Sequence, residues 1–171
     1  MTSAQPDPFN LSRFVEAQAN DYAYALAELR AGNKRTHWMW YVLPQLRGLG
    51  SSSRAVFYGI ASADEAAAYL AHPVLGPRLR ECVAAMTALQ GSSAVQVLGP
   101  VDAAKFRSCL TLFGAVDPKD ALFKEALAKF FGGVPDDASL VLLGAEAGRL
   151  NPPLDEDGHT TDGGSASAGR R

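Results

Sequence analysis

The chain has 171 residues, of which 47% are hydrophobic and 20% charged, the balance of an ordinary globular protein rather than a disordered or fibrous one. Its formal net charge is −2. Of the 16 basic and 18 acidic side chains, only Arg149, Arg170, Arg171, Glu146, Asp155, Glu156, Asp157 and Asp162 lie beyond Gly144, so the part before it is neutral. A neutral body argues against a protein built to grip duplex nucleic acid, which needs a basic excess. No apolar stretch is long enough for a membrane span. The start, with Pro6 and Pro8, lacks the basic end and apolar centre of a secretory signal, so the expected location is the cytoplasm.

In chain order, Phe14, Gln18, Tyr22, Ala25, Leu26 and Leu29 recur at helical spacing. They predict a helix from about Leu11 to Arg30, capped by Asn10 and stopped at Gly32. A short helical turn around His37 to Val42 ends before Pro44, and Gly48 to Ser53 reads as a loop. A short helix is expected over Arg54 to Ile60. Ser62 and Glu65 then form a capping-box pattern opening a helix through Ala71. His72 and Pro73 interrupt it, with His72 expected to act as a cap. The stripe Leu75, Leu79, Cys82, Val83, Met86 and Leu89 defines the next helix.

Ser92 is the expected cap of a short helix ending near Gly99, and Asp102 the start of another that puts Phe106, Cys109, Leu110 and Phe113 on one face. Asp117 before Pro118 reads as a helix start, followed by an apolar stripe from Leu122 to Phe131 that Gly132 and Gly133 break. Asp136 caps a last short element, Ala138 to Leu143. The expected fold is an all-α, irregular multihelical single domain of six to eight helices. Its organisation is a flexible N-terminus over 1–8, a helical domain over 9–144 and a disordered tail over 145–171, where Gly, Ser, Pro and Asp dominate.

One stretch stands apart. Between Glu28 and Asp64 there is no acidic residue, while Arg30, Lys34, Arg35, Arg47 and Arg54 all fall there, together with Trp38, Trp40, Tyr41, Phe57 and Tyr58. Guanidinium forks suit phosphate or carboxylate, and flat rings suit a base or nicotinamide. Glycines and serines at Gly48 to Ser53 can offer amides and hydroxyls, although the ending of a Walker A loop is missing. The candidate ligand-binding residues are Trp38, Trp40, Tyr41, Gln45, Arg47, Ser53, Arg54, Tyr58 and Ser108. His37 and Lys105 are the candidates for acid–base chemistry, Lys105 lying one helical step from Ser108. The same aromatic and basic side chains equally fit a packed core with ion pairs around it.

No metal site or cofactor is expected: His37, His72 and His159 lack ligand spacing, and Cys82 and Cys109 read as reduced core thiols. The expected partner is a small anionic ligand, with nucleic acid disfavoured and the oligomeric state left open. The corresponding function is an intracellular domain that binds or processes a nucleotide-like anion, ADP-ribose or NAD-derived. The alternative is a non-catalytic protein-interaction module anchored by an exposed Trp or Arg.

These blocks resemble a known family. Trp38-Met39-Trp40-Tyr41, Pro44-Gln45, Gly48-Leu49-Gly50 with Ser52 or Ser53, and Phe57-Tyr58-Gly59-Ile60 resemble the signature of an uncharacterised bacterial family, domain of unknown function 1810. Tyr69-Leu70, His72-Pro73, Leu75-Gly76 and Arg78-Leu79 continue the match. Asp102, Lys105, Ser108, Thr111-Leu112-Phe113, Phe123, Lys129, Phe130-Phe131 and Gly133 complete it, from about Asp7 to Leu143. The resemblance implies a multihelical intracellular domain and no established activity. Some members carry the label calpastatin, a name that implies a disordered repeat chain, whereas this sequence is globular and unrepeated. A fainter likeness is to the NADAR family of ADP-ribose-processing N-glycosidases, through Tyr41 with Pro44 and Ser53 before Phe57-Tyr58. Where that family places a glutamate, this chain has Ala55 or Val56, which implies a related ligand without the same mechanism.

Overall fold

A computed structural model describes residues 6–150, with side chains through residue 145. The described residues form nine helices: α1 (Ser12–Ala31), α2 (Met39–Val42), α3 (Ser53–Tyr58), α4 (Ala63–Ala71), α5 (Leu75–Ala88), α6 (Ala94–Leu98), α7 (Pro100–Val116), α8 (Ala121–Phe131) and α9 (Asp137–Leu150). The all-α class holds. Among these residues the only β feature is an isolated parallel bridge between Leu46 and Ile60. Among the described residues no helix is long and apolar enough to cross a membrane.

Apolar spacing explains the packing. α7 lies at the centre, with Phe106, Cys109, Leu110, Leu112 and Phe113 all buried, and it contacts α4, α6, α8 and α9. α5 buries Leu75, Leu79, Cys82, Val83 and Met86 and contacts α1, α4 and α8. Phe14, Tyr69, Phe113 and Phe123 form a chain of ring contacts through the middle, from α1 across α4 and α7 to α8. Cys82 and Cys109 are free and buried, and burial pushes the Cys82 thiol up to about 12.

Helix ends differ from expectation in instructive ways. Asn10 does not cap α1: it sits at φ 53°, and the Asp7 carboxylate takes the Leu11 and Ser12 amides at 2.7 and 3.0 Å. The expected flexible start thus includes a residue that anchors the helix; residues 1–5 lie outside the described residues. Ser93, not Ser92, caps α6 in a full capping box with Gln96. α7 begins at Pro100, ahead of Asp102, and Asp117 closes it instead of opening α8, whose cap is Asp120. The last helix runs to Leu150, past the expected end near Leu143 and into the expected tail; residues 151–171 lie outside the described residues.

Ser62 caps α4 as expected, its hydroxyl accepting the Glu65 amide at 3.1 Å. The Glu65 carboxylate does more than complete that motif. One oxygen accepts the Ala61 amide at 2.9 Å, and the other pairs with Arg13 at 2.7 Å with both side chains almost wholly buried. All five guanidinium N–H donors of Arg13 are used, the other four on the carbonyls of Phe9, Asn10, Phe57 and Gly59. One side chain therefore joins the N-terminal arm, α3 and α4. Arg13→Met leaves Glu65 buried without its cation, and we expect a loss of about 3–5 kcal/mol in urea unfolding. A loss below about 1 kcal/mol, the range of exposed ion pairs, counts against this role.

Gly76 makes the α4–α5 corner possible. A Cβ there would lie 2.0 Å from the Leu70 carbonyl oxygen, which belongs to backbone and cannot swing away. Gly76→Ala should cost about 2–3 kcal/mol of thermal stability, in the range of overpacked cores. Gly144→Ala, where a Cβ meets nothing, is the matched control and should be neutral or stabilising. Equal melting temperatures for the two variants would contradict the steric account.

Candidate functional site

The acid-free stretch does not form one pocket. It divides into a core part, a strut and a charged cluster, each built from local sequence.

Trp38 and Tyr41 belong to the core. Trp38 is 1% exposed, and its indole N–H donates to Glu28 Oε1 at 2.9 Å. Tyr41 is 6% exposed, its hydroxyl donating to Asp21 with the His37 carbonyl 3.1 Å away. Burial and that bond to Asp21 push the Tyr41 phenol well above its ordinary value. Tyr58 is half-buried among the rings of Phe14, Tyr41 and Phe57. The Ser108 hydroxyl is buried and donates to the Ala104 carbonyl one turn back in its own helix. That hydroxyl is engaged within α7, while Lys105 turns to Asp102.

Gln45 and Arg47 form the strut. The Gln45 carbonyl accepts the Ile60 amide at 2.9 Å, and the Arg47 amide donates to the Ile60 carbonyl at 2.8 Å. The Arg47 guanidinium then donates to the carbonyls of Val56 and Gly59, filling the open C-terminal end of α3. Ser53 is exposed at the first position of α3, and the cap is Ser52, whose hydroxyl accepts the Ala55 amide at 3.1 Å. The expected phosphate cradle is thus replaced by a serine cap on a six-residue helix. Arg54 is exposed on α3, and its charge acts on Tyr41. His37 is exposed.

Trp40 and Lys105 do meet. The Lys105 ammonium lies 3.7 Å from the Trp40 ring centroid, and 3.3 Å from Asp102 one turn earlier on α7. The other Asp102 oxygen pairs at 2.9 Å with Lys34, whose side chain is 8% exposed and whose ammonium lies 5.0 Å from the Trp38 ring centroid. Lys34 also donates to the Thr36 carbonyl at 2.7 Å. Its backbone amide donates a hydrogen bond to the Val97 carbonyl on α6. Gly50 brings the loop close to this group: a Cβ there would lie 3.8 Å from the Trp40 ring and 2.9 Å from the Ala55 Cβ. Two ammonium groups share the Asp102 carboxylate here beside two indoles, and the Glu28 carboxylate holds the edge of the Trp38 one.

Sequence reasoning counted Lys34 among the basic residues and Asp102 as a helix start, but assigned neither to the site. The i, i+3 spacing of Asp102 and Lys105 was the available signal. Glu28 was missed altogether. Its carboxylate accepts the amides of Arg35 and Thr36, the Thr36 hydroxyl and the Trp38 indole, so it folds the segment after α1 back over that helix. Burial alone would raise its carboxyl. The Thr36, Arg35 and Trp38 donors outweigh that and hold it at about 2, against an ordinary 4.5.

A separate hollow lies away from this cluster. A groove of about 850 Å³ is lined by the N-terminal arm, the start of α1 and the His72-Pro73 turn, and includes none of the expected site residues. His72 has its expected capping role there, Nδ1 accepting the Val74 and Leu75 amides at 3.1 and 3.2 Å. Among the described residues no group of three or more His, Cys, Asp or Glu is placed to hold a metal.

Comparison with known proteins adds a family. The profile described as "Protein of unknown function (DUF1810)" matches residues 8–143. The chain belongs to the DUF1810 family. Among solved structures, this DUF1810 chain is similar to the conserved hypothetical protein Rv1873 from Mycobacterium tuberculosis, at 51% identity and a TM-score of 0.80. The alignment covers 81% of this chain and 99% of the other. Comparison with curated proteins finds no match.

The depressed Glu28 carboxyl fixes a pH dependence. Because its folded value lies below its unfolded one, its contribution is complete above about 4.5 and fades as pH falls towards about 2. The stability difference between the parent chain and Glu28→Gln should therefore shrink across that window, as read from urea midpoints. A difference that is flat from pH 5 to 2 (about the window set by linkage) would refute the assignment.

Proposed function

We propose that this DUF1810 protein binds a small anionic ligand carrying a flat ring, of the nucleotide class represented by ADP-ribose and NAD, at the Trp40–Lys105 cluster. The observation that carries the reading is the shared carboxylate: Lys34 and Lys105 both pair with Asp102. An arriving phosphate or carboxylate would give the partly buried Lys105 ammonium a counter-charge of its own. Trp40 offers an indole beside the charge, as stacking of a base or nicotinamide requires. His37, three residues before Trp40, is exposed and available to the rest of such a ligand. No reaction is assigned to the site.

A protein-interaction module anchored by tryptophan has less support, since Trp38 is buried and Trp40 is half-buried. The test is thermal-shift titration with ADP-ribose, NAD and AMP. A ligand at about 100 times its Kd adds about 2.7 kcal/mol, a rise of several degrees in Tm for a domain of this size. Lys105→Gln should remove that rise while leaving the circular dichroism spectrum unchanged. Absence of stabilisation by all three compounds at millimolar concentration sinks the proposal.

A further inference from the structure

The acid-free stretch also leaves an unpaired basic face around α3, distinct from the Lys34–Asp102–Lys105 cluster. Arg47 and Arg54 are exposed, and neither has an ion-pair partner among the described residues. Beside them Val56 is 48% and Phe57 53% exposed, large apolar side chains that the core does not use. Arg54 and Phe57 are neighbours on the helix surface at i, i+3. Phe57, Val56 and Arg47 join Phe9 and Asn10 around a depression of about 300 Å³ with Arg13 in its lining. The face thus combines a ring, a branched aliphatic side chain and two guanidinium charges without an acidic partner, that of Arg47 also donating to the Val56 and Gly59 carbonyls.

The chain itself contains a matching segment. α9 passes this region, since Leu142 lies where a Cβ on Gly48 would meet it at 3.5 Å, one residue from Arg47. The helix ends at Leu150, and Leu154-Asp155-Glu156-Asp157 follows shortly after. The seven residues from 151 to 157 can reach about 25 Å. Three consecutive acids after a leucine are the complement of two arginines flanking Phe57.

We infer that Leu154–Asp157 docks on the α3 face of its own chain, Leu154 against Phe57 and Val56, and the carboxylates on Arg47 and Arg54. The tether supplies an effective concentration in the millimolar range, so contacts too weak to hold a free peptide become populated. Exposed ion pairs weaken with salt, and the docked state weakens with them.

The experiment compares amide and arginine Nε–H spectra of the full chain with those of Asp155→Asn/Glu156→Gln/Asp157→Asn. At about 0.02 M salt the signals of Val56, Phe57, Gly59, Arg47 and Arg54 should differ between the two proteins. At about 0.5 M salt the differences should shrink by at least half. Leu154→Ser should move the Val56 and Phe57 signals in the same direction. The readout uses no added ligand, so it is independent of whether the Trp40–Lys105 cluster binds a nucleotide. Unchanged signals on this face, changes confined to other parts of the protein, or differences that persist in full at high salt each overturn the inference.

Discussion

Arg13 holds together parts of the chain that have little else in common. The N-terminal arm, the end of α3 and the start of α4 meet at its guanidinium, which spends four donors on backbone carbonyls and one on Glu65. Carbonyls at a helix end and in an irregular arm need partners once they are covered. With Arg47 on the Val56 carbonyl and sharing that of Gly59, the one buried cation of Arg13 serves the carbonyls of Phe9, Asn10, Phe57 and Gly59. Its own charge is then balanced by Glu65, the residue that also fixes the start of α4 through Ala61. The position of α3 against the body of the protein, and with it the orientation of Arg47, Arg54 and Phe57, depends on this arrangement.

Much of the fold was legible because burial enforces periodicity. The stripes of α1, α5 and α8 named most of the buried residues, whereas that of α7 named Phe106, Cys109, Leu110 and Phe113 of a helix that also buries Ala103, Ser108, Thr111 and Leu112, and Gly32 and Gly132 ended their helices in left-handed conformation. The errors gathered at helix ends, where neighbouring polar residues can serve equally well and tertiary context chooses. Ser93 displaces Ser92 because Gln96 is placed to return the bond. Asp117 and Asp120 divide the work differently from expectation because Arg80 pairs with both of them across the α7–α8 junction. Arg13 was invisible for another reason: an arginine in the first turn of a helix ordinarily points into solvent, and nothing local marks one that does not.

The site was legible only in outline. Composition identified the right stretch, and Trp40 and Lys105 come together from distant positions. It could not separate rings that pack from rings that are offered, because the same residue types do both. Trp38 illustrates this. Its indole edge meets Glu28 while Lys34 lies nearer its ring, and each contact satisfies one part of the side chain. Those partners come from α1 and from the segment that follows it, and their roles follow from three-dimensional closure rather than from spacing.

The bridge between Leu46 and Ile60 has a consequence for how this region can change. Two backbone hydrogen bonds, Ile60 to Gln45 and Arg47 to Ile60, clamp the base of the loop, and Arg13 fixes its returning limb through the Phe57 and Gly59 carbonyls. None of these contacts involves Ser51, Ser52 or Ser53, the turn of the loop, which is exposed. Closing a longer loop between fixed ends adds only about 0.6 kcal/mol for each doubling of its length. The point at Ser51, just ahead of the α3 cap Ser52, is therefore where the chain can accept inserted residues while its supports stay in place, so the loop's reach can diversify without refolding the body.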